Sequence, residues 1–146
     1  MAGRHERRSR RGLDYNPALG QLRQMNKFDW ERQLYGMQLD RTTRDVGFGL
    51  ARHANADGSE VRPGTHRLMY ECGIADERTI GKSMRKLRQL GLIYLDKPGG
   101  GISRHADNYL LTTHERVAAW TVTYETWSKE RGFAPEDEAE VDPWAS

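Results

Sequence analysis

The stretch GIADERTIGKSMRKLRQLGLI, residues 73–93, contains the clearest helical pattern in the chain. Apolar side chains recur within it every three or four positions, the spacing that places them on one face of an α-helix. They are Ile80, Met84, Leu87 and Leu90. Asp76 is a favourable N-cap and Gly91 a favourable residue to end a helix, so we predict a helix from Glu77 to Leu90. At about 1.5 Å per residue it would be ~21 Å long, which fits a DNA major groove.

The outward side of this predicted helix is basic. With the apolar stripe turned inward and about 100° between successive residues, four long polar side chains form one outward line. They are Arg78, Lys82, Arg85 and Gln89. Arginine and lysine donate hydrogen bonds to guanine, and glutamine bonds adenine, so the line has the chemistry of a base-reading surface. We expect Arg78 and Lys82 to contact bases, because recognition helices usually present their N-terminal end to the groove.

The residues beside the line extend the same surface. Lys86 lies next to it, and we expect Lys86 and the last two members of the line to face phosphates or solvent. Thr79 and Ser83 flank the face and offer hydroxyls to phosphate. Gly81 is costly inside a helix, and its presence indicates a close approach of the DNA backbone or of the preceding helix. The alternative is that the whole face is only the solvated side of an amphipathic core helix.

The flanking sequence predicts a small helical domain that ends in a β-hairpin. The predicted elements are helices over 42–54 and 65–72, a very short strand over 60–62, and strands over 92–96 and 109–113 that enclose the loop KPGGGISRHADN, residues 97–108. Thr42 or Thr43 would cap the first helix, and Gly73 would end the second in the left-handed conformation. Gly47 and Gly49 lower the helical propensity of the first helix, so we expect packing against a close neighbour to hold it.

Residues 41–113 therefore follow the order helix, short strand, helix, tight turn, helix and hairpin. That order, with the stretch RTTRDVGFGLARHANADGSEVRPGTHRLMYECGIADERTIGKSMRKLRQLGLI, resembles the winged helix-turn-helix proteins of actinobacterial phages, plasmids and mobile elements. The resemblance implies a mainly α fold with a small β-hairpin, a recognition helix after Gly73 in the major groove, and the hairpin as the wing. It also implies a transcriptional regulator or a replication initiator. One extra residue in GIADERTI, residues 73–80, departs from the family's usual spacing and leaves the individual base contacts open.

Basic residues outside the helix extend the predicted interface. Lys97, Arg104 and His105 lie in the loop 97–108 and suit the minor groove or adjacent phosphates, the alternative being a loop tip that contacts nothing. Residues 1–15 form a basic arm that either follows a minor groove, binds phosphates without specificity, or is only solvated. Its arginines are Arg4, Arg7, Arg8, Arg10 and Arg11.

A long amphipathic helix is expected near the C-terminus. Thr112 and Glu115 have the spacing of a capping box and predict a helix that runs to about residue 131. Its apolar stripe consists of Val117, Trp120, Tyr124 and Trp127. So much apolar area requires a partner, so the stripe either folds back on Trp30 and Leu34 or pairs with a second copy in a homodimer.

The chain divides into five predicted segments. They are a basic arm (1–15), an N-terminal helical extension (16–40) with helices near 16–27 and 29–38, the winged helix-turn-helix domain (41–113), the amphipathic helix (114–132) and an acidic tail (133–146). The tail carries five carboxylates and Trp144. Such a composition suits docking onto a basic protein partner or mild autoinhibition at the DNA face, although most such tails only solubilise.

Composition excludes several classes of function. Cys72 is the only cysteine, so no internal disulfide can form, and no run approaches the ~20 apolar residues of a membrane span. We expect a cytoplasmic protein, in the bacterial cytoplasm or nucleoid if the resemblance holds. The five histidines show no metal-ligand spacing, and no nucleophile motif is present, so we predict no metal, no cofactor and no catalysis.

The sequence thus predicts a non-enzymatic protein that binds double-stranded DNA at specific sequences and regulates transcription in a phage or mobile element. Two alternatives stay open. One is a replication initiator or organiser of such an element. The other is a winged-helix protein-interaction adaptor that uses its tryptophan-rich helix as the contact surface.

Overall fold

The computed structural model describes residues 17–100 and 106–133 as a mixture of helices and a small three-stranded antiparallel sheet. A short 3-10 helix, Pro17–Leu19, comes first. The elements that follow are β1 (Arg23–Gln24), α1 (Lys27–Gly36), α2 (Arg41–His53), α3 (Thr65–Cys72), α4 (Glu77–Gln89), β2 (Ile93–Lys97), β3 (Asn108–Thr113), α5 (Val117–Trp120) and α6 (Tyr124–Glu130).

The core lies between α1, α2, α3, α4 and the sheet. Trp30 of α1 is completely buried, and its indole Nε1 donates to the carbonyl of Leu92 at 2.8 Å. Leu34, Leu50 and Leu87 are also completely buried. Removing this apolar surface from water is the main force that holds α1 and α4 against α2.

Close neighbours hold α2 as its glycines predict. Gly47 and Gly49 are both buried. A Cβ at Gly47 would lie 2.6 Å from a methyl carbon of Leu34, and a Cβ at Gly49 would lie 3.1 Å from a methyl carbon of Leu68. The two glycines therefore let α1 and α3 approach α2, which offsets their low helical propensity.

The N-caps expected for α2, Thr42 or Thr43, were wrong, because Asp40 caps α2 by accepting from the Thr43 amide at 3.1 Å.

A tight turn joins α3 to α4. Gly73 adopts the left-handed conformation, with φ 66° and ψ 33°, and the Ile74 amide donates to the carbonyl of Met69 at 2.9 Å. Asp76 then caps α4 by accepting from the Arg78 amide at 2.9 Å. The predicted left-handed stop after α3 and the predicted N-cap of α4 are both confirmed.

The sheet has the strand order β1-β3-β2, and its central strand β3 pairs on both sides. Ile93 of β2 lies opposite Leu111 of β3, in antiparallel register. The expected strand over 60–62 is reduced to a single bridge between Val61 and Tyr109. This bridge attaches the segment between α2 and α3 to the hairpin.

The N-terminal extension contains less helix than predicted. The helix expected over 16–27 was wrong: the chain forms the 3-10 turn and then β1, which pairs with Thr112 and Thr113 of β3. The second helix is present as α1, two residues earlier than expected, because Asn26 accepts from the Asp29 amide and caps it.

The single long C-terminal helix was also wrong. Thr112 lies within β3, where its hydroxyl donates to the carbonyl of Gly91 at 2.9 Å and is not free to cap a helix. Two short helices, α5 and α6, replace it. An extended segment separates them, in which the Val122 amide donates to the carbonyl of Gly36 at 2.8 Å. Thr123 then caps α6 by accepting from the Thr126 amide.

Candidate nucleic-acid interface

The exposed face of α4 has the composition predicted for it. Ile80 and Leu87 are buried and Met84 and Leu90 are half-buried, so the apolar stripe faces the core. The side chains of the predicted outward line are all exposed, namely Arg78, Lys82, Arg85 and Gln89. The line therefore presents three cations and one amide to solvent along the full length of the helix.

Gly81 lies on the open side of α4. It is exposed, and no atom of the described residues comes within 4 Å of where its Cβ would be. The preceding helix therefore does not require a glycine here, which removes one of the two reasons predicted for this residue. The other reason, close approach by the DNA backbone, stays a prediction.

Ser83 is a correction to the predicted site. Its exposed fraction is only 4%, so its hydroxyl cannot reach a phosphate on the outer face. At about 100° per residue Ser83 lies roughly 40° around the helix from buried Leu87 and roughly 140° from Arg78, which explains the burial. Thr79, on the same flank, is half-buried.

Lys86 is engaged by a carboxylate of another element. Its Nζ lies 2.5 Å from Oδ1 of Asp40, whose other oxygen accepts from the amide and hydroxyl of Thr43. The hydrogen bond from Lys86 and those from Thr43 hold the pKa of the Asp40 carboxyl at about 2. Lys86 therefore links the C-terminal half of α4 to the first turn of α2. The sequence pattern of α4 alone gives no sign of this role, because Asp40 is distant in the chain.

Two histidine–carboxylate contacts fix α3 between its neighbours. His53 Nε2 of α2 lies 2.7 Å from Oε1 of Glu71 on α3, and this hydrogen bond lowers the pKa of Glu71. His66 of α3 makes a similar contact of 2.7 Å with Glu77, in the first turn of α4. The second pair is largely exposed, so it contributes little to stability and mainly orients the start of α4.

The loop between β2 and β3 is closed at its base by polar contacts. Asp107 accepts from the Gly99 amide at 2.6 Å, and Asn108 donates to Glu60 at 3.1 Å. Lys97, the predicted phosphate ligand at the end of β2, is exposed beside this base. This role of Asp107 was not predicted from the sequence, although an Asp beside a glycine-rich turn is a common source of such side-chain to backbone bonds. Arg104 and His105 lie outside the described residues.

The five arginines of the basic arm and the acidic tail beyond Phe133 also lie outside the described residues. The predictions of minor-groove contact by Arg4, Arg7, Arg8, Arg10 and Arg11, and of a partner for the tail, stay predictions.

The predicted C-terminal stripe divides into two parts. Val117 is buried in the same core cluster as Trp30 and Leu34, and Trp120 packs partly against that cluster with its ring edge-on to His114. This half of the stripe folds back on its own domain. The other half, Tyr124 and Trp127, lies at the surface in α6.

The surface half forms a small aromatic cluster with its neighbours. The Trp127 ring lies 6.1 Å from the ring of Tyr124 and 5.8 Å from that of Phe133. The guanidinium of Arg131 covers the Trp127 ring at 4.2 Å, a cation–π contact. Tyr124 and Phe133 each keep about half of their surface exposed.

No helix in the described part of the chain has the length and apolar character needed to cross a bilayer. Within residues 17–100 and 106–133 no three His, Cys, Asp or Glu side chains gather in a way that would hold a metal ion. No family model, curated protein or solved structure matches this chain.

Proposed function

We propose that this protein binds double-stranded DNA at specific sequences by inserting α4 into the major groove. The observation that carries the proposal is the exposed line of Arg78, Lys82, Arg85 and Gln89 on one face of α4. Its side chains are the types that donate to guanine or pair with adenine at base edges. The only carboxylate within α4, Glu77, is in the first turn and in contact with His66.

The arrangement around α4 supports a winged helix-turn-helix. Helix α2, the bridge at Val61, α3, the left-handed turn at Gly73, α4 and the β2–β3 hairpin follow one another in the order of that fold. In such a fold the second helix of the turn enters the groove and the hairpin reaches the neighbouring backbone. Lys97, beside the closed base of the hairpin loop, suits a phosphate contact there.

We assign different roles to the residues of the face. Arg78 and Lys82 read bases, and Arg85 and Gln89 contact base edges or phosphates farther along the groove. Lys86 acts as a positioning residue, because its contact with Asp40 fixes the angle of α4 to α2. Gly81 allows the DNA backbone to approach the helix closely.

The biological role that we favour is transcriptional regulation in a phage or mobile element, with replication initiation as the alternative. Both use the same DNA contact and differ in where the site lies. A protein-interaction adaptor is the second candidate, and the aromatic cluster of Tyr124, Trp127 and Phe133, in which Tyr124 and Phe133 are about half exposed, favours it. Exposed apolar clusters often mark protein–protein contact sites.

Selection of bound duplexes from a random DNA pool at about physiological salt tests the proposal. An enriched motif is the expected result, and two half-sites spaced by about one helical turn would indicate a dimer on DNA. Retention without a motif, or no retention, would contradict sequence-specific binding. The adaptor reading would then be tested with Trp127→Ala.

A further inference from the structure

A groove of about 990 Å³ separates α1 from the C-terminal helices. Tyr35 and Gly36 of α1 line it together with Val117, Val122 and Trp127 of the C-terminal segment. The residues that line it include none from α4. The groove is therefore distinct from the proposed DNA face, and the inference that follows stands apart from DNA binding.

The rim of the groove is basic on balance. Arg23 of β1, Arg32 of α1 and Arg44 of α2 line it, against the carboxylates of Asp29 and Glu115. Asp29 is already paired with Arg32 at 3.7 Å and accepts from the side chain of Asn26. The groove thus combines apolar walls with arginines able to receive further carboxylates.

The chain itself contains a segment of matching chemistry. Residues 134–146 read APEDEAEVDPWAS, with five carboxylates followed by Trp144. The segment begins directly after Phe133, whose ring lies 5.8 Å from Trp127, a lining residue of the groove. Its thirteen residues, at up to ~3.3 Å each, reach about 43 Å when fully extended.

We propose that residues 134–146 dock in this groove of their own chain, with Trp144 against the apolar walls and the carboxylates at the arginine rim. The exposed line of α4 consists of three cations and one amide, whereas the groove combines arginines with the apolar side chains of Val122 and Trp127. Burial of the indole decides between the two sites, because exposed ion pairs alone contribute little. Covalent attachment beside the groove also raises the local concentration of the segment to the millimolar range.

A spin label at the chain end tests the inference on the full-length protein. The label is placed on Ser146→Cys, in a background of Cys72→Ser so that one thiol remains. Serine keeps a donor for the Asp45 carbonyl that Cys72 now contacts. Docking predicts loss of the amide NMR signals of Gly36 and Val122, while the signals of Arg78 and Lys82, in the half of α4 away from the Asp40 contact, are weakened least.

Three variants of the labelled chain complete the test, two that should abolish docking and one control. Trp144→Ala and Arg44→Glu should each restore the Gly36 and Val122 signals, whereas Lys129→Glu, a matched charge reversal on α6, should not. Signal loss centred on Lys82 and Arg85 would overturn the inference and indicate an autoinhibitory tail instead. Uniform or absent signal loss would also overturn it. Signal loss that appears only when spin-labelled chains are mixed with isotope-enriched chains would overturn it as well, because the groove would then be occupied by the tail of a second copy.

Discussion

Lys86 Nζ on α4 lies 2.5 Å from Oδ1 of Asp40, the carboxylate that caps the first turn of α2. One acidic side chain therefore both begins a core helix and fixes the helix that we propose enters DNA. The two residues are 46 positions apart in the chain. Their contact adds an ion pair to the apolar packing that holds α4 against α2.

Asp40→Asn should lower stability in a pH-dependent way. The folded pKa of about 2 lies below the ordinary value of 3.8, so the ionised carboxylate stabilises the fold at neutral pH, and this contribution is lost as the pH falls from about 4 towards 2. Asparagine still caps the helix, so the change removes mainly the charge. Because solvent screens this half-exposed pair, we expect a loss of about 0.5–1 kcal/mol at neutral pH.

Urea unfolding of the wild type and of Asp40→Asn at pH 7 and near pH 2 checks this prediction. The difference in the free energy of unfolding should shrink towards zero at the lower pH. Lys86→Gln should reproduce the loss at neutral pH and add little to Asp40→Asn in the double variant. A difference that is the same at both pH values would show that the Asp40 charge does not stabilise the fold.

Gly81→Ala should separate stability from DNA affinity. Open space surrounds the position among the described residues, so alanine should raise the free energy of unfolding by up to about 1 kcal/mol through better helical propensity. At a close protein–DNA contact the same methyl group should weaken binding by about tenfold, or ~1.4 kcal/mol. Thermal unfolding and a duplex titration measure the two effects independently. A more stable variant with unchanged affinity would place Gly81 away from the DNA.

Gly58 and Gly73 form a matched pair of left-handed glycines. Both have positive φ, 88° and 66°, but a Cβ at Gly58 would lie 2.0 Å from the carbonyl oxygen of Met25, whereas a Cβ at Gly73 would meet no atom of the described residues within 4 Å. Gly73→Ala should therefore lower the free energy of unfolding by about 1–2 kcal/mol, the cost of holding an alanine in the left-handed conformation. Gly58→Ala should lower the free energy of unfolding by about 4 kcal/mol or more, because the backbone at Met25 must also move to make room for the methyl group. Equal losses in chemical denaturation would contradict the close approach of the two backbones.

The sequence predicted α4 well because its signals are local. The Asp76 cap, the apolar stripe and the glycine stop all lie within or next to the helix, and each was found where the pattern indicated. The same holds for the left-handed end of α3 at Gly73. The outward placement of Arg78 and Lys82 follows from helical geometry alone.

The errors occurred where distant contacts decide the local structure. Thr112 has the spacing of a helix cap, but its hydroxyl donates to the carbonyl of Gly91 and its backbone pairs with β1 in the sheet. The stripe from Val117 to Trp127 has a helical period, but the bond from the Val122 amide to Gly36 breaks the helix between its halves. The Lys86–Asp40 pair was missed for the same reason, since a pattern within one helix does not show a partner from another.

The most direct test of the central claim is a duplex titration of Lys82→Glu beside Lys129→Glu, using the duplex that the selection enriches. Both variants reverse one exposed lysine, but only Lys82 lies on the α4 face. We predict that Lys82→Glu weakens binding by at least about tenfold and flattens the dependence of log affinity on log salt by about one unit, while Lys129→Glu matches the wild type. Equal affinities and equal salt slopes for all three proteins would contradict DNA binding through α4.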